Sequence, residues 1–449
     1  MFVDASKSGR VEVGEYIKFR DVNGMKPLEE LKACKVVKVD PSSSTVTIDV
    51  NTTGMPEFQQ GNASAIVVKV PFAMDFASLA ESRRQPVPTG EGPDQGSWHY
   101  VDYSQMMNPV LGHVAHAAID DWIDENPGKT VPVNDAEFED WVVAKSVSIS
   151  MEEIPEDCWP FRSTEGGAGF SSDEEAIVRE IARGAGAEAQ PLAAFFGGIA
   201  AQEAVKVTGR YTPLMPYMYY DGTFALPWDL LGTDRSEVEF TYRLDGAPAG
   251  HDSKEAAAAA KVRPSRAEYF ADPAVAESFK QVGDRYDDLR ALFGQGILDR
   301  LAEQRVFLVG AGALGCELLK NFAILGVATN PDKGRITVTD MDRIENSNLN
   351  RQFLFRKADV QSPKSATAAR ASISINPSMV VEALEVRAAP DTERTFTDSF
   401  WDSLTLVVPA LDNMKARKYV DSKCVWHGKP MVESGTLGVQ CSLQVVLPH

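Results

Sequence analysis

The chain has 449 residues, enough for about three domains, with 44% hydrophobic and 24% charged residues, the composition of a soluble globular protein. Its 45 Lys+Arg against 64 Asp+Glu leave a net charge of −19, and an acidic surface repels phosphate backbones and anionic lipid. Neither nucleic acid nor a membrane is therefore expected as a partner, and no N-terminal leader or apolar run of roughly eighteen residues is read. The five cysteines, Cys34, Cys158, Cys316, Cys424 and Cys441, stand singly, which argues against a disulfide framework or structural zinc and suits a reducing compartment. Cytoplasm and nucleus are the expected locations.

In chain order, residues 1–78 carry short β-branched stretches ("YIKF", "CKVVKVD", "STVTIDV", "SAIVVKV") between Asn, Gly, Pro and Ser clusters, and predict a small all-β barrel without helices. Over 79–190 the period becomes helical. "VLGHVAHAAIDDWID" aligns Val110, Val114, Ala117, Ala118 and Trp122, and "SDEEAIVREIARGAG" opens on a Ser or Asp cap and ends in glycine. A helical bundle is expected, within which His113 and His116 read as partly buried helix residues, since no third ligand is in view. Residues 191–242 hold a small-residue helix and an aromatic, strand-like tail. Residues 243–280, with "HDSKEAAAAAKVRPS", read as a linker or insertion. From 281 to 449 apolar strands alternate with amphipathic helices, which predicts a parallel sheet covered on both faces. Cys316, Cys424 and Cys441 are placed in the core.

The chemistry concentrates in this last region. Gly310-x-Gly312-x-x-Gly315 ends the first strand and opens a helix, a turn whose glycines let backbone approach a phosphate. Asp340 ends the second strand, where an acid takes ribose hydroxyls. Beyond it lie Asn348, Asn350, Arg351 and Gln352, then Lys364; an Arg fork and a Lys point charge suit a triphosphate. "PALDN" puts Asp412 and Asn413 at the carboxyl edge of the sheet, where a carboxylate facing phosphates suits Mg²⁺. With no G-x-x-x-x-G-K-[ST], these types point to ATP·Mg²⁺ held for nucleotidyl transfer. Plainer roles stay open: Asp342 as a turn cap, Lys364 as a solvated residue at a helix start, Arg387 as a strand-end residue.

The stretches "VGAGALGCELLKNFAILG", "TDMDRIENSNLNRQFLFR", "APDTER", "ALDNMKARKYVD", "ESGTLG" and "QVVLP" resemble the active adenylation domain of the ubiquitin-activating enzyme family. Upstream, "VGEYIKFRDVNGM" resembles that family's first catalytic-cysteine half-domain, "LGHVAHAAIDDW" its four-helix bundle, and "FFGGIAAQEAVK" the end of its inactive adenylation domain. The resemblance implies a multidomain chain: barrel (1–78), four-helix bundle (79–190), end of the inactive adenylation domain (191–242), linker (243–280) and an incomplete, Rossmann-like, ThiF-type adenylation domain (281–449). It also implies ATP-dependent adenylation of the C-terminal glycine of ubiquitin or a ubiquitin-like protein, with release of pyrophosphate. Transfer to a catalytic cysteine absent from this chain would follow in the complete enzyme, which would also engage ubiquitin-conjugating enzymes. This chain alone is not expected to form a thioester.

Residue by residue, the resemblance assigns Asp340 to the ribose, Asn348, Arg351, Gln352 and Lys364 to phosphates, Asp412 to Mg²⁺, and Arg387 to the neighbourhood of the adenine. The catalytic set is Arg351, Lys364 and Asp412. The nucleotide-binding set is Gly310, Gly312, Ala313, Asp340, Asp342, Asn348, Arg351, Gln352, Lys364, Arg387, Ala388 and Asn413. The chain departs from the family at Pro409, where an Asn is usual, at "VQCSLQVV", and at Asp288 and Leu289. Two other readings stand beside this one: a derivative that binds nucleotide or a ubiquitin-like protein without catalysis, and a nicotinamide-dependent oxidoreductase, which "NSNLNRQ" and "ALDN" oppose.

Overall fold

The structure, a computed structural model, describes residues 11–31, 33–40, 45–59, 64–68, 77–84, 86, 108–152, 169–208, 213–214, 217–220, 272–437 and 440–448. Two compact units divide the chain, one of residues 1–77 with 207–212 and the other of 78–206 with 213–449.

In the first unit, apolar residues at every second position bury one face of an antiparallel sheet. Its strands β1 (Tyr16–Arg20), β2 (Cys34–Asp40), β3 (Thr45–Ile48) and β4 (Ser64–Val68) run in the order β3-β2-β1-β4. Ile17 and Phe19 of β1, Cys34 and Val36 of β2 and Val46 of β3 fill the core with Val22 and Leu28. Leu28 comes from α1 (Pro27–Glu30), a single helical turn too short for the sequence period to reveal, started by a proline at its first position. Among the described residues no ladder joins β3 to β4, so barrel closure remains an expectation.

In the second unit, α3 (Asn108–Glu125), α4 (Ala136–Glu152) and α5 (Ser172–Gly184) surround one core. All five α3 positions singled out by period contribute to it, Trp122 partly buried, and Leu111, Ala115 and Ile119 widen the face. The α5 cap is Ser171, whose Oγ accepts from Glu174 N–H while Glu174 Oε2 accepts from Ser171 N–H at 2.7 Å, a reciprocal box. Gly184 is the last residue of α5, packed where a Cβ would lie 2.7 Å from a Leu292 methyl. His113 is engaged at both nitrogens, Nδ1 2.8 Å from the Tyr219 hydroxyl and Nε2 2.8 Å from the carbonyl of Arg83 in α2 (Leu79–Arg84). Burial lowers its pKa to about 4. His116 has open surface and lines a cavity of about 1400 Å³, and its ring stacks on Tyr219. By contrast α6 (Gln190–Lys206), apolar in sequence, buries no residue fully and leaves Phe195 44% exposed.

Of the stretch read as a linker, residues 243–271 lie outside the described set. Its end forms α7 (Pro273–Ser278), capped by Asp272 and anchored by buried Val275 and Phe279. Helices α8 (Asp287–Phe293) and α9 (Gln295–Ala302) then lead into a six-stranded sheet of order β10-β9-β8-β5-β6-β7. Strands β5 (Arg305–Val309), β6 (Arg335–Thr339), β7 (Val381–Leu384), β8 (Leu406–Pro409) and β9 (Met431–Leu437) are parallel. Strand β10 (Gln440–Val446) is antiparallel to β9, an edge hairpin that the reading of a parallel sheet did not contain. The runs are apolar throughout because both faces are covered. Val306, Leu308, Ile336 and Val338 pack under α10 (Ala313–Leu325) and α11 (Lys364–Ile375). Phe307, Val309 and Val407 pack against Trp401 of α12 (Asp398–Asp402) and Val420 and Cys424 of α13 (Met414–Trp426).

Candidate functional site

The strand order reverses at β5, with β6 on one side and β8 on the other. The crevice above the carboxyl ends of those strands is where open α/β sheets bind ligands. Local backbone chemistry shapes it. Gly310 has φ +106°, and a Cβ there would sit 2.5 Å from the Ala410 carbonyl, so the chain leaving β5 can pass β8 only as glycine. Gly315 is required by a second close contact: its Cβ would fall 2.2 Å from the Gly310 carbonyl, so α10 is pressed onto the turn that precedes it. Gly312 is different. A Cβ there would meet only Gln352 Nε2, at 4.0 Å, so the turn is open on this side. Gly312 also begins α10 with no side-chain cap, leaving the first-turn N–H groups of Ala313 and its successors facing the crevice for an anion.

Asp340 ties this turn to the end of β6. Its Oδ2 accepts from Ala311 N–H and its Oδ1 from Asp342 N–H, both at 2.8 Å. Burial pushes its pKa upward even against those two donors and the nearby Lys364 charge, so the carboxylate lies in a poorly hydrated place. One lone pair on each oxygen remains for a ligand.

Lys364, 8% exposed, starts α11, where a cation is disfavoured by the helix dipole unless it meets a negative group. Here that group is Asp342, whose Oδ2 is 2.9 Å from the lysine Nζ. Gln352 is 4% exposed, and its Oε1 has no hydrogen-bond partner among the described residues. A buried, unmatched amide oxygen beside an open glycine turn is costly unless a ligand or water meets it. Arg351 is exposed, with Nη1 on the Ser347 carbonyl and Asn350 Oδ1 at 3.1 Å each and no carboxylate partner among the described residues.

Of the other predicted residues, Asn348 and Asn413 also hold local backbone. Asn348 is buried and its Oδ1 accepts from Glu345 N–H at 3.0 Å, closing the loop before Arg351. Asn413 caps α13, its Oδ1 accepting from Ala416 N–H at 2.9 Å, and its Nδ2 lies 3.4 Å from Asp412 Oδ1. Asp412 is exposed at the end of the β8 loop. Arg387 pairs with Asp391 at the surface, and among the described residues no contact joins it to the glycine turn; Ala388 beside it is buried.

Pro409 is the last residue of β8. Val407 N–H donates toward β9, to the Pro430 carbonyl, and Ala410 N–H toward β5, to the Val309 carbonyl. By alternation the donor that Pro409 lacks belongs on the β9 side, beyond the one β8–β9 pair at Val407 and Met431, so the β5–β8 ladder loses nothing.

Sequence reasoning missed Arg417. Its Nε and Nη2 both donate to the Leu411 carbonyl, at 3.1 and 2.5 Å, and its Nη1 pairs with Glu433 of β9. A cation in the first turn of α13, against the dipole, was the available signal. Cysteine placement needs one correction. Cys316 and Cys424 are buried, with thiol pKa values pushed up to about 11 and about 12, but Cys441 lies exposed on β10 because that strand is the uncovered edge. None of the candidate residues lines the large cavity beside α3.

Comparison with known proteins points to one group of relatives. Residues 286–449 match the ThiF family. The whole chain is 35% identical to ubiquitin-activating enzyme E1 2 of Arabidopsis thaliana, of which it covers 36%. It is 35% identical over 98% of its length to ubiquitin-activating enzyme E1 1 of Schizosaccharomyces pombe, covering 37% of that protein. For human ubiquitin-like modifier-activating enzyme 6 the identity is 33%, over 98% of this chain and 35% of that protein. The chain thus spans little more than a third of the length of the curated relatives it matches.

Proposed function

Since this chain belongs to the ubiquitin-activating enzyme family, we propose that it provides the nucleotide-binding part of an enzyme that adenylates the C-terminal carboxylate of ubiquitin or a ubiquitin-like protein. The observation that carries this reading is the uncapped glycine turn, with the Gln352 amide oxygen beside it, buried and unmatched among the described residues, and with Lys364 linked to it through Asp342 and Asp340. In this reading the turn's N–H groups and Gln352 receive phosphate oxygens of ATP. Asp340 offers its remaining lone pairs to the ribose. Among the described residues Arg351 has no anionic partner to give up, whereas Lys364 must swing from Asp342 to reach the α-phosphate. The incoming carboxylate oxygen bonds to the α-phosphorus, the bond to pyrophosphate breaks, and the two cations hold the charge that moves onto the leaving group.

Among the described residues no cluster of three His, Cys, Asp or Glu side chains could hold a metal unaided. A single carboxylate is what Mg²⁺ uses when phosphates supply further ligands, so Asp412 fits that role. The ion would supply neutralisation of phosphate charge. Asn348 and Asn413 act through the loop and helix they cap, and Arg387 and Ala388 belong to the adenine side. The domain plan extends the same reading: barrel over 1–78, four-helix bundle over 79–190, inactive-domain remnant over 191–242, linker over 243–280 and adenylation domain from 281. Ubiquitin-conjugating enzymes are partners of the complete protein, working in cytoplasm and nucleus. No helix among the described residues is long and apolar enough to cross a membrane. Pro409 lends no weight to a dead derivative, since it breaks no β5–β8 hydrogen bond.

The test is ubiquitin-dependent ATP–pyrophosphate exchange by the protein that contains this chain, with the panel widened to other ubiquitin-like proteins. Exchange with one member and none with NAD is the expected result. No exchange with any of them, from a sample that binds ATP, leaves the non-catalytic derivative as the reading.

A further inference from the structure

Asp412 has little of its own to hold it. It is exposed, and among the described residues its one side-chain hydrogen bond is from the Asn413 amide at 3.4 Å. The peptide before it is gripped instead. Arg417 sends two N–H donors, Nε at 3.1 Å and Nη2 at 2.5 Å, to the single carbonyl of Leu411, whose peptide plane leads directly into Asp412. The guanidinium is itself fixed from the far side. Its Nη1 pairs with Glu433 of β9 and its Nη2 lies 3.5 Å from the Ser434 carbonyl. Gly435 leaves room for the fork, since a Cβ there would stand 3.1 Å from Nη1. Both partners of the ion pair are largely buried, with side chains 23% and 18% exposed.

We propose that Arg417, locked by Glu433, is the positioning residue that fixes the Asp412 carboxylate above the end of β8, and so sets the site's affinity for a divalent cation bound with nucleotide. This rests on the nucleotide reading above. Arg417 touches neither metal nor substrate; it acts by holding the Leu411–Asp412 peptide. Lysine cannot reproduce the grip, because one ammonium cannot fork onto Leu411 while reaching Glu433. Two physical facts explain why an arginine is kept in a first helical turn that disfavours cations. The Leu411 carbonyl and Glu433 together outweigh the dipole, and the guanidinium stays planar and charged throughout.

The experiment measures ATP affinity of the chain over a series of Mg²⁺ concentrations for the unsubstituted protein, Arg417→Lys, Glu433→Gln and Asp412→Asn, with adenosine binding and thermal unfolding as parallel readouts. Arg417→Lys should raise the Mg²⁺ concentration for half-maximal ATP binding about tenfold, as loss of a ligand-orienting partner does at metal sites. Adenosine affinity should not change. Glu433→Gln should shift the midpoint the same way by less, because the Leu411 contacts survive. A Mg²⁺ midpoint unmoved in both variants, or adenosine binding weakened in step with ATP, overturns the positioning role. ATP binding that ignores both Mg²⁺ and Asp412→Asn overturns this proposal alone, whereas an unsubstituted, folded chain that binds no ATP at any Mg²⁺ concentration sinks the nucleotide reading and this proposal with it.

Discussion

Lys364 is held twice by Asp342: its Nζ lies 2.9 Å from the Asp342 carboxylate, and its own backbone N–H donates to the Asp342 carbonyl at 3.0 Å. The backbone bond anchors the start of α11, so the side chain is free to exchange partners without moving the helix. Lys364→Ala should therefore weaken ATP binding about 10- to 100-fold, the worth of a charged hydrogen bond, and change stability by less than about 1 kcal/mol, since Asp342 is half exposed. Titration calorimetry beside a melting curve checks both halves.

Two glycines of the turn should separate cleanly. Gly310→Ala meets a carbonyl at 2.5 Å in a left-handed conformation, and should destabilise by at least about 2 kcal/mol. Gly312→Ala meets nothing nearer than 4.0 Å and should leave unfolding within about 1 kcal/mol, yet its methyl enters the crevice and should abolish nucleotide binding. Equal effects of the two on stability would count against the open side assigned to Gly312.

Gln352→Met exchanges a buried, unmatched amide for an apolar side chain of similar length. Stability should hold or rise by up to about 1 kcal/mol while ATP affinity falls. A loss of stability instead would mean that the amide already has a partner in solution.

His113 gives the helical part of the second unit a pH dependence. Its folded pKa of about 4 lies below the unfolded value near 6.5, so below pH 6.5 the unfolded chain takes up a proton that the folded chain refuses. Its contribution is complete above 6.5 and is lost as pH falls toward 4, in total about 3 kcal/mol. His113→Gln should flatten that part of a melting-temperature profile.

Thiol labelling should follow burial. Under native conditions at mildly alkaline pH, iodoacetamide should modify Cys441 and leave Cys316 and Cys424 untouched until unfolding, as peptide mass mapping would read.

What could be read in the residues alone was whatever the backbone demanded or a period displayed. The glycine turn, the strand ends carrying Asp340 and Asp412, and the capped α5 all announce themselves, because glycine spacing, apolar runs and Ser–Glu boxes have few other causes. Asn348 and Asn413 read as ligand-facing, and each also spends its amide oxygen on a backbone N–H, a second use that residue type alone does not reveal because an amide serves a loop and a phosphate equally well. Arg417 was invisible because its main partner is a carbonyl, which carries no side-chain signature. The antiparallel β10 escaped because its alternating residues fit either strand direction, and only the register with β9 decides.

The pressing of α10 onto its own turn has a consequence for anyone wishing to re-engineer this scaffold. With Gly315 against the Gly310 carbonyl and Gly310 against Ala410, two codons in the turn admit no alternative, and a randomised library spanning them would be mostly dead clones. Diversity belongs across the crevice, at Gln352 and Arg351, where side chains rather than backbone set the boundary and neither side chain carries a bond that ties the turn to the sheet.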